Sequence, residues 1–430
     1  MTESDTATGR AESETGTQTG GGIAVRLLLA LALLSAVAPV ATDLYLPAFP
    51  QLSTEFDASA STVQLTLMAF LLGITAGQLV FGPLSDRFGR LWPLLAGSAL
   101  CIAASAVAAL APSVDVLIAA RFAQGFTGAA GMVIGRAIVS DLASGKAAAR
   151  AFSLMMIVGG VAPVIAPFLG SLLVEHIGWR GIMWVVCGVV TLMFVATIAV
   201  IRESHPRARR DAQRTASTGT GASWRALLTR TYVGNTVAFA FGFSVMMAYI
   251  SASPFVFQTL IGMSPVQYGM TFGVNALGIT VMSAVSARLT QRVPVRTLLG
   301  IGLLVAIAAA LVLLGLVLTG APTWTLPIPI FIAVAGQGLI LGNATALALA
   351  SVPQSAGTGS AVLGSLQFGI GALVAPLVGL GGEHTAGPLA VVMLVCALVA
   401  AAGFRLAKPH NPDDGTSAQA STPVAGRANA

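Results

Sequence analysis

The sequence predicts an all-α membrane protein with twelve transmembrane helices in two six-helix halves. Hydrophobic residues make up 56% of the 430 residues and charged residues only 9%, whereas a soluble domain carries roughly 25% charged residues. The mean hydropathy is +0.86. The apolar residues form long unbroken runs, while the strands of a membrane barrel alternate between polar and apolar residues. Because a backbone inside a bilayer must satisfy its own hydrogen bonds, these runs predict helices.

Twelve apolar stretches reach the roughly 20 residues that a helix needs to cross a bilayer. They lie near 24–43, 62–83, 91–111, 114–137, 150–173, 181–201, 232–253, 266–287, 297–319, 325–350, 357–380 and 385–406. A polar segment rich in arginine separates the sixth stretch from the seventh. We therefore predict five regions: a disordered tail (1–22), a six-helix half (23–201), a linker (202–230), a second six-helix half (231–407) and a second disordered tail (408–430).

The basic residues predict how the chain is oriented in the membrane. With the amino terminus in the cytoplasm, all of the 22 lysines and arginines except Arg121 and Arg180 fall at or beyond the cytoplasmic boundary, as the positive-inside tendency requires. The sequence therefore predicts a multi-pass protein of a bacterial inner membrane with both termini in the cytoplasm. Since topology accounts for the net charge of +6, we expect a lipid bilayer and no nucleic acid as partner.

The residue types that carry most enzyme chemistry lack the spacing that such chemistry needs. The three cysteines lie inside apolar runs, and the four histidines lie in predicted loops or tails without metal-ligand spacing. The sequence contains no nucleotide-binding P-loop motif. We therefore expect no enzyme active site, no metal site and no ATP-driven activity.

The predicted loop between the second and third spans carries a specific motif. Residues 82–90 read GPLSDRFGR, and this string resembles the G-x-x-x-D-R-x-G-R signature of the major facilitator superfamily. Glycines permit a tight turn, an aspartate can cap a helix start and arginines can hold the turn by ion pairing. A basic loop that only sets topology is the alternative. We predict a gate with an ion pair between Asp86 and Arg136, built from Gly82, Asp86, Arg87, Gly89, Arg90 and Arg136.

Two charged residues are predicted to lie inside the membrane at a similar depth. Residues 121–125 read RFAQG and resemble the R-x-x-Q-G motif that the same superfamily has in its fourth span. An arginine inside a span is costly and is usually paired or functional, although Arg121 could instead extend to the outer interface. Asp43 ends the first span at a matching depth and is its expected partner. Asp43 could otherwise cap the outer helix end.

Four further stretches narrow the resemblance. These are DLYLP at 43–47, PVIAPFLG at 163–170, YISASPFV at 249–256 and GSAVLGSLQ at 359–367. Together they resemble the bicyclomycin-resistance (Bcr/CflA) type of drug–proton antiporter, over residues 24–406. The second stretch supplies the antiporter-motif helix residues Pro163, Pro167 and Gly170. The resemblance implies alternating access around a cavity between the halves, in which proton influx drives the efflux of small drug-like molecules.

A proton carrier must titrate within the membrane, and a buried carboxylate can do so. We predict that Asp43 binds the proton, that Arg121 restrains it and that Gln124 orients the pair, with Asp115 as the second candidate for the proton-binding carboxylate.

We expect the transporter to use a proton gradient as its energy source, to need no cofactor and to be a monomer. An exporter or importer of a metabolite such as an amino acid or sugar is the alternative function. The predicted substrate-cavity residues, each of which could instead be structural, are Tyr45, Asn235, Met246, Met247, Tyr249, Gln337, Asn343 and Gln367.

Overall fold

The computed structural model describes residues 25–143, 145–204, 227–352 and 355–407. The first helices are α1 (Val25–Asp43), α2 (Phe49–Phe56), α3 (Ala60–Phe88), α4 (Leu91–Ala109), α5 (Val114–Leu142) and α6 (Gly145–Val200). The remaining helices are α7 (Arg230–Pro254), α8 (Pro265–Leu289), α9 (Val295–Leu318), α10 (Pro327–Ala350), α11 (Ala356–Val374) and α12 (Gly387–Leu406). The predicted tails, 1–22 and 408–430, and residues 205–226 of the predicted linker lie outside the described residues.

Eleven helices in the described part of the chain are long and apolar enough to cross a membrane. One of them, Val161–Val200, contains 40 residues. A straight helix of that length would measure about 60 Å at about 1.5 Å per residue, twice the roughly 30 Å of a bilayer core. Gly178, with a φ of 63°, interrupts the helical conformation inside α6 and separates two helices. The predicted fold class, an all-α membrane protein with twelve spans, is therefore confirmed.

The helices form two groups, which we call the N-terminal group (α1–α6) and the C-terminal group (α7–α12). Within the first group, α3 packs against α5 and α1 against α6; within the second, α7 packs against α10 and α12. The largest contacts between the two groups are those between α6 and α8 and between α3 and α11. Polar side chains near these contacts therefore lie between the two groups.

Glycines bring the helix backbones together inside each group. A Cβ atom on Gly125 of α5 would overlap the carbonyl oxygen of Phe70 on α3. In the C-terminal group, a Cβ on Gly234 of α7 would lie 2.5 Å from the carbonyl oxygen of Gly403 on α12. Small residues of this kind allow the close packing that holds membrane helices together.

The bundle has two ends, which we name by the residues that lie there. At the Asp86 end, α3 turns into α4 and α5 ends. At the Glu55 end lie α2, the break at Gly178 and the π-helix Phe255–Leu260 that follows α7. Contacts between Glu55 and the segment after Gly178 connect two of these elements.

Candidate functional site

A fully buried arginine lies on α5. Arg121 has 0% of its surface exposed, and its guanidinium carbon lies 4.8 Å from the ring centroid of Tyr45 and 4.3 Å from that of Phe70. Its Nη1 donates a hydrogen bond to the carbonyl oxygen of Ala41 at 3.0 Å, which connects α5 to the last turn of α1. Aromatic ring faces attract a cation. Arg121 is therefore held inside the span and does not extend to the interface.

Gln124 lies one helical turn after Arg121 and contacts it directly. Its Oε1 accepts a hydrogen bond from Arg121 Nη1 at 2.6 Å, because residues three apart share one helix face. Its Nε2 donates to Ser105 Oγ on α4 at 2.7 Å. The Nε and Nη2 atoms of Arg121 are buried and lack a hydrogen-bond partner among the described residues. Buried donors without partners are costly, so this site can accept a further oxygen-bearing group.

Asp43 is buried at the end of α1, with 5% of its surface exposed. Its Oδ1 accepts a hydrogen bond from Thr42 Oγ1 at 3.1 Å. The predicted direct pair with Arg121 is wrong for this conformation, since no ion pair joins the two within the described ranges. The physical reason is helix geometry: Arg121 meets α1 at Ala41, and two further residues turn the helix by roughly 200° at about 3.6 residues per turn.

Two phenols of the C-terminal group are buried and make hydrogen bonds. They belong to Tyr249 on α7 and Tyr268 on α8, which are 2% and 0% exposed. Asn275 Nδ2 donates to Tyr249 Oη at 3.0 Å, and Tyr268 Oη bonds Ser253 Oγ at 3.1 Å. Sequence reasoning selected Tyr249 but missed Tyr268 and Asn275. A polar side chain within an apolar stretch is the sequence signal that could have identified both residues.

Several predicted cavity side chains are buried in helix packing. Asn343 Nδ2 donates to Ser286 Oγ at 2.9 Å, which connects α10 to α8. Asn235 Nδ2 donates to the carbonyl oxygen of Thr231 in its own helix at 2.9 Å. Gln337 is 0% exposed. These contacts favour a structural role for Asn343 and Asn235 in this conformation. Tyr45 also has a packing role, because its ring lies against the Arg121 guanidinium.

The other cavity candidates include two half-buried side chains, Met246 on α7 and Gln367 on α11. Met247 is buried, at 7% exposed. Across the contact between α3 and α11, Gln78 Oε1 would lie 3.4 Å from a Cβ on Gly364. Gln78 was not among the predicted residues, although its polar side chain lies in an apolar span. The contact between α3 and α11 therefore contains polar side chains from both groups.

The turn at the Asp86 end is built around Arg90. Gly89 has a φ of 95°, a conformation that favours glycine, and it directs Arg90 back over the end of α3. Arg90 Nη1 pairs with Asp86 Oδ1 at 2.5 Å, and Arg90 Nε pairs with Asp141 Oδ2 on α5 at 2.9 Å. Burial acts to lower the pKa of Arg90, but its bonds to Asp141 and Asp86 outweigh burial and raise that pKa.

Glu203, directly after α6, completes this network. Its carboxylate accepts the backbone N–H groups of Arg90 at 2.9 Å and of Leu91 at 3.1 Å. A helix start leaves such N–H groups without intrahelical partners and favours negative charge. Glu203 therefore caps α4. The sequence analysis did not select Glu203, because this residue falls in the predicted linker. The signal that could have identified it is an acidic residue within a strongly basic segment.

The predicted pair between Asp86 and Arg136 is wrong in this structure. Asp86 pairs with Arg90, whereas Arg136 lies exposed on α5 and makes no ion pair within the described ranges. Because of the turn at Gly89, Arg90 reaches Asp86 first. Gly82 also differs from expectation, since it lies inside α3 and not in the turn. Arg87 lies against the Phe88 ring, at 5.3 Å from the centroid.

The predicted antiporter-motif helix is the first arm of α6, which contains Pro163 and Pro167. A Cβ on Gly170 would overlap the carbonyl oxygen of Leu44, the residue after Asp43. The next residue, Ser171, occupies the space where a Cβ on Gly269 of α8 would lie. This arm therefore touches α1 with one residue and the C-terminal group with the next.

Hydrogen bonds between the two groups concentrate at the Glu55 end. Ser53 Oγ donates to the Glu383 carboxylate. Ser61 Oγ donates to the Pro376 carbonyl oxygen at 3.1 Å. Further bonds run from Gln64 Nε2 to the Ser251 carbonyl oxygen at 3.0 Å and from Gln258 Nε2 to the Pro47 carbonyl oxygen at 3.3 Å. These bonds hold the two groups together at this end.

Comparison with known proteins agrees with this architecture. A sequence model of the Major Facilitator Superfamily matches residues 31–376. The chain is 38% identical over 386 residues to the uncharacterized MFS-type transporter YdgK of Bacillus subtilis, covering 88% of this chain and 95% of that protein. It is 29% identical to a bicyclomycin resistance protein homolog of Haemophilus influenzae, covering 89% and 96%.

A solved structure shares the fold at low sequence identity. It is the bacterial homolog of the human lysosomal transporter Spinster in an inward-facing conformation, with a TM-score of 0.69, 19% identity and coverage of 90% and 95%. The family model and the relatives define this chain as a membrane transporter for small molecules, not an enzyme. The chain belongs to the major facilitator superfamily. It resembles the drug–proton antiporter type within that superfamily, and it is a multi-pass protein of the bacterial inner membrane.

Proposed function

We propose that this transporter expels small drug-like molecules across the inner membrane in exchange for protons, by alternating access. The observation that carries the proposal is a buried carboxyl group, Asp43, inside a span and next to the contact between the two helix groups. A charge at that depth is costly unless it is paired, so proton binding and release there can be tied to movement of the groups. The bicyclomycin resistance protein homolog, at 29% identity, supports the choice of substrate class.

The membrane orientation follows from the same proposal. The Asp86 end carries the basic residues of the loop and Arg202, which follows α6, so it faces the cytoplasm under the positive-inside tendency. Both termini are then cytoplasmic, and the Glu55 end faces outward. The protein works as a monomer, with the proton gradient as its energy source and no bound cofactor.

The roles of the membrane-buried residues follow from their contacts. Asp43 binds the transported proton in the conformation described here, where no cation pairs with it among the described residues. Arg121 holds the last turn of α1 in place through the Ala41 carbonyl group. Gln124 fixes the guanidinium orientation. The free Nε and Nη2 atoms of Arg121 receive an oxygen ligand in another conformation of the cycle.

Everted membrane vesicles with an imposed pH gradient test this function. Dye and drug accumulation is measured for the wild type, for Asp43→Asn and for Asp115→Asn, an exposed carboxylate at the start of α5. Asp43→Asn should abolish accumulation driven by the gradient, while Asp115→Asn should transport as the wild type does. If Asp43→Asn accumulates a neutral substrate normally, Asp43 is not the coupling residue. Accumulation of an amino acid or sugar instead of drugs would favour metabolite transport.

A further inference from the structure

Five arginines of the C-terminal group lie where its spans begin or end. They are found at the start of α7, at the end of α8, in the turn between α8 and α9, in the first turn of α9 and at the end of α12. Residues at such positions reach the depth of lipid headgroups. The five, which we call the basic cluster, are Arg230, Arg288, Arg292, Arg296 and Arg405.

Helix contacts bring the segments of the basic cluster together. A Cβ on Gly234, in the first turns of α7, would lie 2.5 Å from the Gly403 carbonyl oxygen and 2.7 Å from the backbone nitrogen of Ala407. Arg296 Nη2 donates to the Phe404 carbonyl oxygen at 3.0 Å, and its guanidinium carbon lies 4.4 Å from the Phe404 ring centroid. The starts of α7 and α9 therefore both lie beside the end of α12. Since α7 runs to the π-helix at the Glu55 end, the basic cluster lies at the Asp86 end.

The basic cluster has no carboxylate to balance its charge. Residues 227–407 contain one acidic residue, Glu383, and it lies at the opposite end, where Ser53 donates to it. The members other than Arg296 are exposed, and no member forms an ion pair within the part of the chain that the structure describes. Arg90, in the corresponding turn of the N-terminal group, binds two carboxylates. Because like charges repel, the basic cluster favours an anionic ligand.

Exposed apolar side chains lie next to these arginines. Leu228, two residues before Arg230, is 75% exposed, and Leu406, directly after Arg405, is 47% exposed. A free phosphate ion would contact the arginines and leave the leucines in water. A molecule that carries both an anionic headgroup and an apolar chain contacts both kinds of side chain, and burial of the apolar chain adds to the binding energy. The chemistry therefore fits a phospholipid.

We propose that the basic cluster binds the headgroup phosphate of an anionic phospholipid of the surrounding membrane. Guanidinium groups form strong, charge-assisted hydrogen bonds with phosphate oxygens, and each basic residue near a membrane surface adds to the attraction for anionic lipid. A headgroup bound there contacts the ends of several helices of the C-terminal group at once. The site depends neither on the transported substrate nor on Asp43, so it stands or falls apart from the proposed function.

Native mass spectrometry of the purified full-length transporter tests this site. The protein is incubated with phosphatidylglycerol, which is anionic, or with phosphatidylcholine, which has no net charge. The variant is Arg288→Gln/Arg292→Gln/Arg405→Gln, which keeps Arg296 and its bond to α12. Its affinity for phosphatidylglycerol should fall by about tenfold or more, since three attractive charges are lost, while binding of phosphatidylcholine should not change. Added salt should weaken only the binding of phosphatidylglycerol.

A matched variant removes the same number of charges at the same end of the N-terminal group. It is Arg26→Gln/Arg150→Gln/Arg202→Gln, at three exposed positions, and it should bind phosphatidylglycerol as the wild type does. Equal loss in both variants would show a general effect of surface charge and would overturn the proposal. Unchanged binding in the first variant would overturn it as well.

Two further arms keep the test decisive. If the first triple variant does not fold, Arg292→Glu, at an exposed position of the turn, replaces it. This single variant should also bind phosphatidylglycerol more weakly than the wild type, and unchanged binding would contradict the site. The third arm deletes residues 408–430, which include Asp413 and Asp414. If phosphatidylglycerol binds only after this deletion, the chain's own tail occupies the basic cluster, and the lipid proposal is wrong.

Discussion

The two ends of the bundle use polar contacts differently. At the Asp86 end, Arg90 bonds Asp86 and Asp141, and Glu203 caps α4; all four residues belong to the N-terminal group or directly follow it. At the Glu55 end, polar contacts cross between the groups, as from Ser53 to Glu383. The first set fixes the shape of a turn within one group. The second set holds two groups together.

This difference matters for the proposed alternating access, in which one group moves against the other. Contacts that cross between the groups must break when the Glu55 end opens, whereas contacts within one group can persist through the cycle. We therefore expect transport to stop when the contacts that cross between the groups are constrained. Altering contacts within a group should instead change stability or the efficiency of transport.

The largest effect is expected from locking the Glu55 end. In a background with the three native cysteines replaced, S53C/E383C joined by a cleavable thiol cross-linker should abolish transport, because α2 can no longer leave the C-terminal group. Cleavage of the linker should restore activity. The measurement is drug efflux from reconstituted vesicles before and after reduction.

A matched cross-link within one group serves as the control. Gln51 Nε2 donates to the Val174 carbonyl oxygen at 3.4 Å, so Q51C/V174C joins α2 to α6 inside the N-terminal group at the same end. It should leave transport largely intact. Equal inhibition by both cross-links would mean that α2 itself must move within its own group, and the comparison between the ends would fail.

A second large effect is expected at the contact between α6 and α8. A Cβ on Gly269 would overlap Ser171, and overpacking typically costs about 1–3 kcal/mol. Gly269→Ala should therefore lower the thermal unfolding midpoint and transport together. Adding Ser171→Gly should restore much of both, because it removes the overlapping side chain and leaves only the Phe168 Cα, at 3.0 Å from that Cβ. Failure of the double variant to recover would show that the contact tolerates no change in shape on either side.

The sequence predicted the spans well because a bilayer requires long apolar stretches, and those are visible residue by residue. The contact of Arg121 with Gln124 also follows from sequence, because a spacing of three places both on one helix face. The relation between α6 and α8 did not follow. The sequence does not show which residues of two helices face each other. In the structure, Gly269 of α8 provides the small residue that lies opposite Ser171 of α6.

The two wrong ion pairs have a common physical origin. Sequence gives the depth of a residue in the membrane but not the direction in which its side chain points. Asp43 and Arg121 share a depth, yet the turn of α1 directs Asp43 away from Arg121. At the Asp86 end, the positive φ of Gly89 brings Arg90 to Asp86 in place of Arg136. Both predictions failed because the sequence does not give the angle at which a side chain leaves the helix axis.

A smaller effect is expected from the cap at the Asp86 end. Glu203→Gln keeps the shape of the side chain but removes its negative charge, so its bonds to the N–H groups of Arg90 and Leu91 weaken. Hydrogen bonds to charged groups contribute roughly 1.5–3 kcal/mol, so the unfolding midpoint should fall and transport should decrease several-fold. Glu175→Gln, at an exposed position of α6, is the control and should change neither. A normal unfolding midpoint in Glu203→Gln would contradict the capping role.

The smallest effect is expected at Arg180, which lies at the Glu55 end but makes its contacts within the N-terminal group. It pairs with Glu55, and the two side chains are 42% and 43% exposed; its Nη2 also donates to the Ala111 carbonyl oxygen at 3.1 Å. Exposed ion pairs contribute only about 0–1 kcal/mol, so Arg180→Ala should leave transport within about twofold of the wild type. The same efflux assay, with a thermal unfolding curve, checks this. Loss of transport as complete as that caused by the S53C/E383C cross-link would mean that location at this end, and not crossing between the groups, decides which contacts control the cycle.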